Sequence, residues 1–141
     1  MTQKDKQLLL KDLSARLPYG VICFAPDYEY GDIGKLWCIE LFEDLDPSIT
    51  VQYPKGNTIT KFCSEVKPYL RPMSSMTEEE GVEYAHLLWL VKKDRINLSN
   101  DLGTRGSECV IDWLNARHFD YRGLIHMGLA LEAPEGTYEK F

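Results

Sequence analysis

No apolar run in the sequence exceeds five residues, and Val21 to Ala25 and Leu87 to Val91 are the longest. A helix that crosses a bilayer needs about 20, so no segment predicts a membrane span. The opening carries Lys4, Lys6, Lys11 and Arg16, but its apolar stretch is only Leu8-Leu9-Leu10, far short of a signal-peptide hydrophobic segment. A cytoplasmic protein with no membrane partner is the expectation. Cys23, Cys38, Cys63 and Cys109 form no Cys-x-x-Cys pair, which removes the zinc-knuckle and dithiol-redox patterns and leaves four reduced thiols. Ten glycines and seven prolines among 141 residues exclude collagen-like and low-complexity chains. Positive charge is also short. Sixteen Lys and Arg against 22 Asp and Glu give a net charge of -6, so no overall field gathers nucleic-acid phosphates or anionic lipid.

What is present is one domain's worth of chain, 44% hydrophobic, long enough to fold without staples. Leu9, Leu13 and Leu17 recur every four residues among Lys, Asp and Gln, predicting an amphipathic helix over 3–17 with Thr2 as its N-cap. Pro18-Tyr19-Gly20 ends it. From Val21 onward the pattern shifts to short β-branched and aromatic runs: Val21 to Ala25, Leu36 to Phe42, Ile49 to Tyr53 and Thr58 to Phe62. The short turns between them suit an antiparallel meander. Ile59 and Phe62 do not share an alternating face, which predicts a bulge or an early strand end in the fourth run.

Pro68 and Pro72 exclude a long helix from Ser64 to Met76, which reads as a strap with at most one helical turn over Glu65 to Leu70. Thr77-Glu78-Glu79-Glu80 has the capping-box spacing, so a helix begins at Glu78, with Val82, Ala85, Leu88 and Trp89 as its apolar face. Asn97 to Gly106 is a polar loop and the segment expected to move most. Ser107 caps a further helix carrying Val110, Ile111 and Leu114, followed by a turn from Tyr121 to Met127 that Gly128 stops. Trp37, Trp89 and Trp113 are expected in the core or at an interface.

Chemistry-bearing patterns are sparse. Cys109 and His118 lie nine residues apart, about 13 Å along one straight helix, too far for a nucleophile–base pair. His118, Asp120 and His126 are the densest supply of metal ligands, with Asp112 as a candidate fourth, but their spacing fits no zinc motif. Gly103-Thr104-Arg105-Gly106 lacks the phosphate-loop length and its Lys-Ser/Thr ending. No cofactor is indicated. The lysines do not cluster, which weighs against nucleic acid despite aromatics such as Tyr69 and Tyr121.

Two long stretches stand out from generic composition: Val66 to Glu80 (VKPYLRPMSSMTEEE) and Asp112 to Ile125 (DWLNARHFDYRGLI). With Gly128 to Tyr138 and Leu13 to Val21, they resemble a family of small uncharacterised proteins found in gut Bacteroidales genomes and their phages. The resemblance covers about half the chain and implies a bacterial or phage cytoplasmic protein of a mobile element; it supplies no catalytic residue.

Together these readings predict a single α+β domain over 1–141: an N-terminal helix, a four-stranded antiparallel meander curling toward an SH3-like barrel, and two C-terminal helices packed on one face. The leading functional expectation is a nonenzymatic module that binds an unknown protein partner, with His118, Asp120, Tyr121 and Arg122 in its surface. The alternatives are a metal-assisted hydrolase using His118, Asp120 and His126, and a nucleic-acid-binding accessory protein.

Overall fold

Thr2 opens the first helix as its spacing predicts: Asp5 N–H donates to the Thr2 hydroxyl at 3.1 Å, and Thr2 N–H donates to the Asp5 carboxylate at 3.3 Å. In the computed structural model, which describes residues 1–43, 46–97 and 109–139, this helix is α1 (Gln3–Arg16). A 3-10 turn over Leu17–Tyr19 follows it, and Gly20, at φ 67°, makes the left-handed exit that proline cannot. The strands are β1 (Ile22–Asp27), β2 (Gly31–Glu40), β3 (Ser48–Gln52), β4 (Thr58–Phe62), β5 (Lys67–Leu70) and β6 (Leu131–Glu132). Two more helices, α2 (Glu78–Asn97) and α3 (109–116), lie between β5 and β6. None of the helices is long and apolar enough to cross a membrane, among the described residues. The loop expected over Asn97 to Gly106 and the cap at Ser107 fall almost wholly outside those residues.

The four-stranded expectation is too small. The sheet has six strands in the order β4-β3-β2-β1-β5-β6, antiparallel except for the β5–β6 pair. The strap contributes β5, which pairs Cys23 with Pro68 and Phe24 with Lys67. Proline argues against a strand because it removes a ladder donor. Here Pro68 stands at the end of the β1 ladder, and the parallel ladder to β6 starts only at Tyr69, so neither ladder runs through it. The sheet stays open rather than closing into an SH3-like barrel, because β6 takes the edge of β5 that closure would need and β4 is left at the other rim.

The β3–β4 ladder is regular from Gln52–Thr58 to Ser48–Phe62, with no bulge. Phe62 simply faces solvent, 58% exposed, at the strand's last residue. The irregularities lie elsewhere, in β1, where the register to β2 shifts between Phe24 and Asp27, and in β2, where the register to β3 shifts between Leu36 and Cys38. Trp37 is the extra residue there and is 55% exposed, so it is not a core tryptophan.

Two separate apolar clusters result among the described residues. The larger joins Leu9 and Leu13 of α1 to Val21, just before β1, and to Cys23, Ala25, Leu36, Ile49 and Val51 of the sheet. The smaller joins Val110, Leu114 and Phe119 to Tyr84, Leu87 and Val91 of α2. The helix that covers the sheet is therefore α1, and the two C-terminal helices pack chiefly on each other, contrary to expectation. The expected contact face of α2 is corrected as well: Val82, Ala85, Leu88 and Trp89 are exposed, while Tyr84, Leu87 and Val91 point inward. Apolar residues lie on both sides of this helix, and periodicity alone does not choose between two such stripes. Its N-terminal capping box is as read, with Thr77 and Glu80 exchanging hydrogen bonds at 3.0 and 3.2 Å.

Candidate functional site

The segment after α3 carries the residues singled out in the sequence, and the backbone places them. Arg71, just past β5, donates its N–H to His118 O, and Asp120 N–H donates to Arg71 O, both at 2.8 Å. This short parallel bridge buries Phe119 completely. His118 stands beside it at φ 63°, the one non-glycine residue in left-handed conformation among the described residues. The Asp120 carboxylate accepts from Leu124 N–H at 2.8 Å and from Ile125 N–H at 3.0 Å, so both its oxygens cap the turn that follows.

Tyr121 and Arg122 turn toward α1. Arg122 donates to Asp12 Oδ1 at 2.8 Å and to the Tyr121 hydroxyl at 2.7 Å, and that hydroxyl donates to Asn115 Oδ1 at 2.8 Å. Asp12 Oδ2 accepts from Arg16 Nε at 2.8 Å, and a second Arg16 nitrogen donates to Phe119 O at 2.6 Å. Asp12 and Arg16 are fully buried. A carboxylate bridging two guanidinium groups, each with a further partner, offsets much of the cost of burying these charges, while Arg16 Nη1 has no hydrogen-bond partner among the described residues. This network clasps the helix that covers the sheet to the segment that leaves α3.

Asp12 and Arg16 are the residues that sequence reading missed. The signal was available: Leu9, Asp12, Leu13 and Arg16 occupy one face at the i, i+3, i+4, i+7 spacing. Two charges inside an apolar stripe look like solvated flanks unless their distant partner is known. Arg71 makes a second clasp, donating to both oxygens of Glu80 at 2.6 and 2.8 Å, and that bidentate grip holds the Glu80 carboxyl down at about 2.

His118 lies flat against Tyr138, with ring centroids 3.5 Å apart and planes within 5°. The two rings help line a cleft of about 160 Å³ together with Tyr19, Gly20, Ile22 and Lys35. Burial, reinforced by Arg16 and then Arg71, lowers the imidazole to about 4, so it is neutral at neutral pH. Burial pushes the Tyr138 phenol up; its hydroxyl donates to Tyr69 O and accepts from Ile22 N–H. A neutral imidazole can serve as a base, but the cleft lining holds no serine, cysteine or carboxylate for it to activate.

The structure thus brings His118, Asp120, Tyr121 and Arg122 together as parts of an internal joint and leaves His126 exposed on the turn beyond. Among the described residues, no three His, Cys, Asp or Glu side chains are placed to hold a metal ion. Cys109 is exposed at the start of α3, and Cys23 is buried with its thiol pushed up by that burial.

The outer side of α2 has the opposite character. Val82 is 67% exposed and Trp89 55%, and Leu88 and Leu90 are also open. His86 stacks against Trp89 at 6.1 Å, and the Lys93 ammonium sits 5.1 Å from the same ring. Single exposed apolar residues are ordinary on a protein surface, but several large ones along one helix form a patch. The sequence matches no protein-family model, and neither a curated protein nor a solved structure matches it significantly.

Proposed function

We propose that this chain is a nonenzymatic protein-interaction module of a phage or bacterial mobile element, acting in the cytoplasm and docking through the outer face of α2 onto an apolar helical face of its partner. The observation that carries the reading is the exposure of Val82 and Trp89 on the side of α2 opposite its packed stripe. Binding energy at protein interfaces concentrates in a few residues, tryptophan prominent among them, and Trp89 is such an anchor with Val82 beside it. His118, Asp120, Tyr121 and Arg122 enter the proposal as the clasp that fixes the second cluster to the sheet, and so sets where α2 stands.

The hydrolase alternative has less support, since backbone N–H groups already take both oxygens of Asp120. Nucleic-acid binding is weakened in the same way: Arg16 and Arg122 are engaged by Asp12, Arg71 by Glu80 and Arg117 by Glu83. The test uses wild-type chain and the Val82→Ser, Trp89→Ser double variant as paired baits in lysate of the bacterial host. A protein retained by wild type alone, and bound again when both components are purified, is the expected result. Equal retention by two equally stable baits overturns it.

A further inference from the structure

We propose that the outer face of α2 also pairs with a second copy of itself, two α2 helices lying antiparallel across a two-fold axis that passes between Ala85 and His86. This deepens the interaction reading above by naming one occupant of the same face, and it rests on that reading. The order of side chains along the exposed stripe favours this pairing. Glu78 and Glu79 stand exposed at its N-terminal end, Lys92 and Lys93 are exposed fifteen to thirteen residues later, and Val82 and Trp89 lie between them.

Positions 78, 82, 85, 89 and 92 follow one another at spacings of four, three, four and three, and their counterparts about that axis, the exposed positions 93, 89, 86, 82 and 79, form the second edge of the same face. That is the alternation with which a helix presents one continuous seam to another helix. It runs opposite Tyr84, Leu87 and Val91, which are already packed against α3 and its neighbours. α2 is therefore apolar on two sides, with only one side covered among the described residues.

Antiparallel pairing about the proposed axis sets Val82 against Trp89 of the second copy, twice. Ala85 and His86 meet at the centre, where a small residue lets the helices approach. Glu78 then faces Lys93 and Glu79 faces Lys92 at both ends, so four opposite-charge pairs bracket the apolar contacts. Parallel pairing instead sets glutamate against glutamate and lysine against lysine, which disfavours that arrangement. A self-complementary patch of this kind is what a two-fold dimer requires. The seam from Glu78 to Lys93 is about 22 Å long at 1.5 Å per residue, which belongs with small, readily exchanging interfaces rather than obligate ones.

Charge exchange tests the geometry. One variant carries Glu78→Lys with Glu79→Lys, leaving the seam basic at both ends; another carries Lys92→Glu with Lys93→Glu, leaving it acidic at both ends. Sedimentation velocity over a rising concentration series should show wild type moving from monomer toward dimer, each variant alone staying monomeric, and an equimolar mixture dimerising at least as well as wild type. Circular dichroism melts check that each variant keeps its helices, because the glutamate changes also remove charge favourable to the helix N-terminus. Wild type that remains monomeric to high micromolar concentration overturns self-pairing, as does dimerisation unaffected by either variant or a mixture that stays monomeric. The lysate result is independent of these outcomes: a different partner lost on changing Val82 and Trp89 keeps the interaction reading alone.

Discussion

Asp12 reaches Arg122 across 110 residues of sequence, its Oδ1 accepting from the guanidinium at 2.8 Å while its other oxygen holds Arg16. One fully buried carboxylate thereby joins the first helix of the chain to the segment that follows the last. Removing it leaves two guanidinium groups facing each other without a counter-ion. Asp12→Ala should therefore destabilise the domain by about 3–5 kcal/mol, measured by chemical denaturation. A loss below about 1 kcal/mol would show that water reaches the pair and that the clasp adds little.

His118 predicts an acid-sensitive step in stability. Its folded value lies near 4, against 6.5 for the free side chain, so below 6.5 the unfolded chain takes up a proton that the folded chain refuses. The stabilising contribution is complete above 6.5 and declines as pH falls toward 4. Glu80, lowered to about 2 from 4.5, adds a second decline between those two values. His118→Asn keeps a residue suited to left-handed backbone and should flatten the upper window only. Glu80→Gln should flatten the lower one. Denaturation midpoints measured across both windows distinguish the two, and identical profiles for wild type and His118→Asn would remove the histidine from the account.

Gly34 is required for packing rather than for a turn. A Cβ there would run into a Val51 methyl and lie 2.9 Å from Gln52 O, at the end of the β2–β3 ladder. The backbone oxygen cannot swing aside, so Gly34→Ala should cost about 1–3 kcal/mol. An unchanged thermal midpoint would mean that the two strands part more easily than their contacts imply.

The three tryptophans should separate cleanly. Trp113 stacks on Phe119 at 5.8 Å and on Tyr84 at 5.6 Å, and its indole N–H donates to Glu83 at 3.1 Å. Being only half-buried, it should cost about 2 kcal/mol or slightly more on change to Ala, below the range for a fully buried tryptophan. Trp37→Ser and Trp89→Ser remove exposed rings and should each stay within about 0.5 kcal/mol of wild type in stability, as surface changes do. Trp89→Ser alone should also weaken association. A large stability loss at Trp89 would place that ring in the core and withdraw the docking face.

The sequence by itself determined what short-range physics controls. Thr2 with Asp5, and Thr77 with Glu80, mark helix starts because each cap is completed within three residues. The β-branched runs from Val21 to Phe62 become strands because their turns are local and their ladders join neighbours in sequence. Only the tertiary structure decided the rest. The strap becomes β5 because the edge of β1 is free to receive it, a fact about strand order that Pro68 argues against locally. Asp12 and Arg16 become the centre of the molecule's polar network because Arg122 and the Phe119 carbonyl arrive from more than a hundred residues away. On α2, two apolar stripes satisfy the same periodicity, and the position of α3 decides that Tyr84, Leu87 and Val91 turn inward and leave Val82 and Trp89 to the surface.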